Sequence, residues 1–123
     1  MIAMQYGSSG QANNGGIVLD LLWENSDPTS NFVAQSISIN LSAYKLFGIV
    51  FWYITTTQEE VPMELFTVDE NTKYPMISGN NNRGGTRSVT YDAANGQLSF
   101  SAATYNSSTG NGYLIPLRIY GLR

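Results

Sequence analysis

A chain of 123 residues with no cysteine and no histidine has no disulfide framework, no thiol nucleophile, no zinc site of the usual kind and no imidazole base. Its formal net charge is −3, and the six basic residues Lys45, Lys73, Arg83, Arg87, Arg118 and Arg123 are scattered, so no nucleic-acid footprint is present. Only 12% is charged, while twelve Asn, thirteen Ser, ten Thr and twelve Gly make a surface that hydrogen-bonds rather than ionises.

The length suits one domain with a core of its own. No run reaches the roughly 18 to 20 apolar residues of a membrane span, and MIAMQYGSSG lacks the basic and hydrophobic regions of a signal peptide. No membrane insertion is expected. A small domain without cysteine leans toward a bacterial or viral origin.

Residues 1–16 read as a flexible lead, because GSSGQANNGG buries too little apolar surface to order itself. The domain is expected over 17–123. Residues 17–23, IVLDLLW, form a strand with Asp20 out of place in its middle. Residues 24–31, ENSDPTSN, form a loop, since Pro28 and the Asx/Ser/Thr cluster compete with regular pairing. Residues 32–41 alternate, with Val33, Ile37, Ile39 and Leu41 on one parity and Ala34, Ser36, Ser38 and Asn40 on the other. That pattern predicts one buried face and one wet face.

Residues 44–54, YKLFGIVFWYI, are the stretch the rest is arranged around. Phe47, Ile49, Phe51 and Tyr53 share one parity, and Leu46, Val50, Trp52 and Ile54 the other. Periodicity alone also permits a helix, but the aromatic and β-branched content and Gly48 favour a strand. Such a strand needs cover on both faces. A second layer with extra cover, or a partner subunit, supplies it. Phe47, Phe51, Trp52 and Tyr53 are accordingly expected at an interface between copies.

Residues 63–68 continue as a strand, with Met63, Leu65 and Thr67 opposed to Glu64, Phe66 and Val68. A turn follows at 69–73 and a short edge strand at 74–78. GNNNRGG at 79–85 is the strongest loop signal. Residues 86–91 and 97–102 form a hairpin across DAANG, where Asn95-Gly96 supplies the positive φ values a tight turn needs. A polar loop at 104–112 leads to the last strand, 113–122. There is no helix-length amphipathic segment and no internal repeat. The expectation is an all-β, antiparallel β-sandwich, jelly-roll-like.

Chemistry is thinly represented. A glycosidase needs two facing carboxylates, and the nine acids single out no pair. Without histidine, serine hydrolysis would need a Ser–Lys arrangement, yet Lys45 and Lys73 stand in no such motif. Asp69-Glu70-Asn71 lacks the ligand spacing of a calcium loop, and GNNNRGG lacks the Lys-Ser/Thr of a phosphate loop. No enzymatic activity, no metal and no cofactor are expected.

Binding is the better-supported class. Sugars are held by aromatic faces and planar polar side chains, and loops on a rigid scaffold carry such sites. The loops at 24–31, 79–85 and 104–112 make Trp23, Asn31, Asn81, Arg83, Tyr105 and Asn111 the candidate ligand-binding residues, with Arg83 able to fork onto a carboxylate or phosphate. The competing reading is that these loops are merely solvated and that both tryptophans are core.

Four pieces carry a resemblance: LLWENSDPTSNFVAQSISINLSAY (21–44), the apolar strand after it, the Gly/Asn-rich hairpin, and the terminal IPLRIYGLR (115–123). The pattern W-x-N-x-x-P-T-S-x-F-x-x-Q, then N-L-S-x-Y, then I-P-x-R/K-I-Y-G, resembles the C-terminal domains of phage and prophage tail appendage proteins. The match runs in order over 17–123, with 55–112 alike in character only. Its landmarks are Trp23, Asn25, Pro28, Thr29, Ser30, Phe32, Gln35, Leu41, Tyr44, Pro116 and Tyr120. The resemblance implies a homotrimeric β-structured tip or fibre domain on the virion, outside the cell. Its partners would be other virion proteins and a host cell-surface glycan. It carries no receptor site over. Alternatives are a purely structural virion protein (head fibre, decoration or tail assembly) and a carbohydrate-binding module of a larger bacterial protein. A chain that starts at a Met, one short linker from the domain, departs from a long fibre protein.

Overall fold

In the computed structural model, residues 4–6, 17–75, 86–105 and 108–123 are described, with the backbone alone at 4–6 and 105. The strands are β1 (Met4–Tyr6), β2 (Ile17–Glu24), β3 (Gln35–Ser38), β4 (Leu46–Ile54), β5 (Glu60–Thr67), β6 (Val89–Asp92), β7 (Gln97–Phe100), β8 (Thr104–Tyr105), β9 (Ser108–Thr109) and β10 (Tyr113–Leu122). No helix occurs among the described residues. Five strands make one sheet in the order β1-β2-β10-β4-β5, three make a second in the order β3-β7-β6, and β8-β9 is a small ladder. All pairs are antiparallel except β1 with β2. The fold is an all-β sandwich.

β4 and β10 are the two most apolar strands, and they pair along their length, from Leu46 opposite Leu122 to Ile54 opposite Tyr113. Each strand has hydrogen-bonded neighbours on both sides, while the carbonyls of Tyr113, Leu114 and Pro116 on β10 accept from side chains. The inner face of β4, Phe47, Ile49, Phe51 and Tyr53, packs on Ile37, Val89, Tyr91, Leu98 and Phe100 of the three-stranded sheet. The other face is covered too. Val50 joins Leu19, Leu117, Tyr120 and Leu122 in a second buried cluster, with Ile17, Leu46, Trp52 and Met63 against it.

This corrects the interface expectation for three of its four residues. Phe47, Phe51 and Tyr53 are at most 3% exposed, consumed by packing between the chain's own two sheets. Trp52 is half-buried, touching both clusters.

Three register shifts interrupt the five-stranded sheet, one of them between β10 and β2 at Ile119 and Tyr120. The β10–β4 register shifts between Pro116 and Arg118. Strict alternation would send residues 115, 117 and 119 to one face. Instead Ile115 and Ile119 stay in the inner core while Leu117 joins the outer cluster. The bulge breaks the alternation here, the left-handed Leu114 (φ +51°) is a further irregularity at the start of the strand, and the bulge accommodates a proline within a central strand. The third shift, between Ile49 and Phe51, lies across from Pro62, so that Val61 and Phe66 both face inward.

Local expectations differ at three places. Only Gln35–Ser38 of the alternating run is strand, and Val33 is 53% exposed while Phe32 is buried. The alternation fails there because residues 31–33 lie outside any strand and Phe32 turns inward onto Phe100. Tyr74 and Pro75 are not in a strand, although Lys73 bridges to Val89; 76–78 lie outside the described residues. Within the polar lead, Met4–Tyr6 pairs parallel with β2, and the rest of 1–16 lies outside the described residues.

Candidate functional site

At the end where β2 and β4 finish and β10 begins, three connections meet. Phe32 N–H donates to Asn111 O (2.9 Å), and Thr55 N–H donates to Gly112 O (3.0 Å). Asn31 Oδ1 and Thr55 Oγ1 lie 3.3 and 3.4 Å from where a β-carbon on Gly112 would sit. Asn31, Thr55, Asn111 and Gly112 therefore form one polar surface, drawn from residues far apart in the chain.

The loop after β2 is held by its own side chains. Asn25 Nδ2 donates to Pro116 O (2.9 Å), and Asn25 Oδ1 accepts the Asp27 N–H (2.8 Å). The Asp27 carboxylate accepts from the hydroxyls of Thr29 (2.8 Å) and Ser30 (2.6 Å). Asn25, Thr29 and Ser30 of the W-x-N-x-x-P-T-S pattern thus fix loop geometry, which is the role short Asx and Ser/Thr bonds perform best.

Of the predicted ligand-binding residues, Asn31 is exposed and Asn111 half-buried, and the fold brings these two together. Asn111 Oδ1 is already occupied, accepting the Ala103 N–H at 3.0 Å. Trp23 is half-buried and meets Phe32 edge-on at 6.2 Å, so its ring serves packing more than stacking. Tyr105 lies in β8 at the same end, with only its backbone described. Asn81 and Arg83 lie outside the described residues.

Two residues the sequence reading passed over belong to this end. Thr55 is one. Arg87 is the other: it is fully buried, donating from Nε to Leu114 O (2.9 Å), from Nη1 to Ser101 O (2.8 Å) and from Nη2 to Tyr113 O (3.1 Å). Its guanidinium lies 5.2 Å from the Phe32 ring centroid. Burial pulls its pKa down to about 10, so it stays charged at neutral pH. The signal was present in its parity, shared with the core residues Val89 and Tyr91.

At the opposite end, an open groove of about 590 Å³ is lined by Ser38, Asn40, Ser42 and Asn95 among others. Asn40 and Asn95 both serve local turns, through Ser42 N–H and the Asp92 carboxylate respectively. No group of three or more acidic residues suited to a metal ion occurs among the described residues. No family model, no curated protein and no solved structure matches this chain.

Four aspartates are held below their ordinary value of 3.8: Asp69 chiefly by Lys73, Asp27 by the Ser30 and Thr29 hydroxyls, Asp92 by Asn95 and Asp20 by the Tyr44 hydroxyl. A carboxylate depressed in the folded state takes up its proton first in the unfolded chain. Its stabilisation is therefore complete above the unfolded value and is lost as pH falls through the folded one. With no histidine to titrate, the melting temperature should be flat between about pH 5 and 8. It should fall below pH 3.8. Thermal scans across pH test this, and a step between pH 5 and 8 would contradict it.

Proposed function

We propose that the domain is part of a phage or prophage virion appendage, a tail fibre or tip. There it attaches the particle to the host cell surface through carbohydrate, without catalysis. The observation that supports this is the loop end, where exposed Asn31 and half-buried Thr55 and Asn111 gather amides and hydroxyls on a rigid sandwich. Sugars are bound by such groups, and a mostly uncharged surface suits a neutral polymer. The virion setting comes from the resemblance carried by residues 21–44 and 115–123. Other virion proteins and a host glycan are the partners in this reading, and the location is extracellular.

Two further copies complete a homotrimer. Leu21 and Leu65, 48% and 40% exposed and in one row with Tyr120 and Gly48, leave apolar surface on the five-stranded sheet, and exposed apolar surface favours association.

The structural alternative, a virion part that contacts only other virion proteins, is favoured by the inward use of Trp23 and Asn111. A glycan array separates the readings. Binding to bacterial wall polysaccharide, with no release of reducing ends, supports attachment; silence supports the structural role. Binding to plant polymers instead indicates a carbohydrate-binding module. Asn31→Ala with Arg83→Ala should weaken wall-polysaccharide binding by roughly tenfold or more, as loss of a charge-assisted and a neutral hydrogen bond implies. Light scattering should return three copies per particle, and a monomer at micromolar concentration would remove the trimer.

A further inference from the structure

A second concavity, of about 420 Å³, lies where β2 starts and β10 finishes, away from the loop end. It is lined by Ile17, Ala43, Lys45, Leu46, Leu122 and Arg123. Ile17, Leu46 and Leu122 also belong to the second apolar cluster, so the floor is aliphatic and continuous with packed core. The volume falls within the range of small-molecule sites, roughly 300–1,000 Å³, which are mostly apolar with few polar groups.

The rim carries two cations in different circumstances. Arg123 is matched: its Nε lies 2.8 Å from Asp20 Oδ2, and its Nη2 donates to Asp20 Oδ1 at 3.2 Å. Asp20 is itself positioned, accepting the Tyr44 hydroxyl at 2.8 Å. The Lys45 ammonium has no hydrogen-bond or ion-pair partner among the described residues. An aliphatic floor with one unmatched cation at its lip complements a ligand with one apolar chain and one negative end. A neutral hydrocarbon leaves Lys45 unmatched, a cation is repelled by the rim, and a polyanion makes no use of the floor.

We propose that this pocket binds a free medium-chain aliphatic carboxylate. Its chain lies on Ile17, Leu46 and Leu122, and its carboxylate meets Lys45. The site is independent of the attachment reading and stands whether or not the loop end binds sugar.

The experiment is calorimetric titration of the full chain with monomeric decanoate, and with decanol as the uncharged ligand of equal length. Saturable binding of one decanoate per chain is expected. Affinity should rise about fourfold per methylene from hexanoate upward until the floor is filled. Decanol should bind about three- to fivefold more weakly, the worth of one partly exposed ion pair. Lys45→Gln should bring decanoate down to the level of decanol and leave decanol unchanged. Ala43→Trp, at an exposed loop position, should weaken both by filling the entrance. Absence of saturable binding overturns the proposal, and so does equal affinity of wild-type protein for decanoate and decanol. Binding only to vesicles of anionic lipid overturns it in favour of a membrane surface.

Discussion

Replacing Arg87 by Met should lower the unfolding free energy by on the order of 3 kcal/mol, the largest loss expected from any single polar side chain here. Three carbonyls, those of Ser101, Tyr113 and Leu114, each accept a hydrogen bond from this one guanidinium. Each buried acceptor left without a donor costs about 1–3 kcal/mol. Part of that is returned, because methionine removes the desolvation of a charge that forms no ion pair with a carboxylate among the described residues.

The arrangement also holds strained backbone. Leu114 has φ +51°, a left-handed conformation that costs a side-chain-bearing residue roughly 1–2 kcal/mol. Its side chain is fully buried and its carbonyl is bonded to Arg87 Nε, so the surroundings impose the conformation. Arg87→Lys should fall between wild type and Arg87→Met, since donors on one ammonium do not span three carbonyls that a planar fork reaches. Urea unfolding measures these differences. A loss below about 1 kcal/mol for Arg87→Met would mean that the three carbonyls find other donors at little cost.

The second large effect is expected at Gly121. A β-carbon built there meets three atoms of the Tyr44 ring, at 2.6, 2.6 and 2.7 Å. The ring lies flat against the strand, its hydroxyl donating to Asp20, whose carboxylate also takes Arg123. A rigid ring so anchored has no small displacement to offer. Gly121→Ala should therefore expel Tyr44 and cost about 2–3 kcal/mol, the upper range for overpacking. In a Tyr44→Ala background the same change should cost little, and the double-mutant cycle isolates the clash.

Gly48 makes the control. A β-carbon there also collides, but with the thioether end of Met63. A flexible terminus moves aside cheaply. Gly48→Ala should accordingly be the milder substitution, and the reverse order would show that Tyr44 is free to swing.

The strands with the strongest patterns were legible from the chain alone. Residues 46–54 and 113–122 read as strands and are strands, because their apolar runs have no stable place except between neighbours in a sheet. The hairpin across Asn95-Gly96 was readable too, although of the two residues expected at positive φ only Gly96 adopts it. The two-faced character of β4 was correctly a demand for cover on both sides.

What supplied that cover was decided only by tertiary structure. Parity assigns residues to faces but does not say which layer lies on each, and it cannot count the bulge that sends Leu117 outward between Ile115 and Ile119. Val33 was misplaced for the related reason that alternation holds only while the backbone stays extended.

The candidate sites divide the same way. The loops that carry Asn31 and Asn111 announce themselves through composition, as flexible polar chain does. That Asn31 and Thr55 both meet Gly112 depends on long-range pairings that no local signal encodes. Asp20, out of place in an apolar strand, is explained by Tyr44 and Arg123, 24 and 103 residues away. Arg87 is the sharpest case. One-dimensional pattern marks it as a charge on a buried parity, and only the folded chain shows three backbone carbonyls converging where its planar fork can reach them. Local sequence sets which groups want burial or a partner; long-range pairing decides which partners arrive.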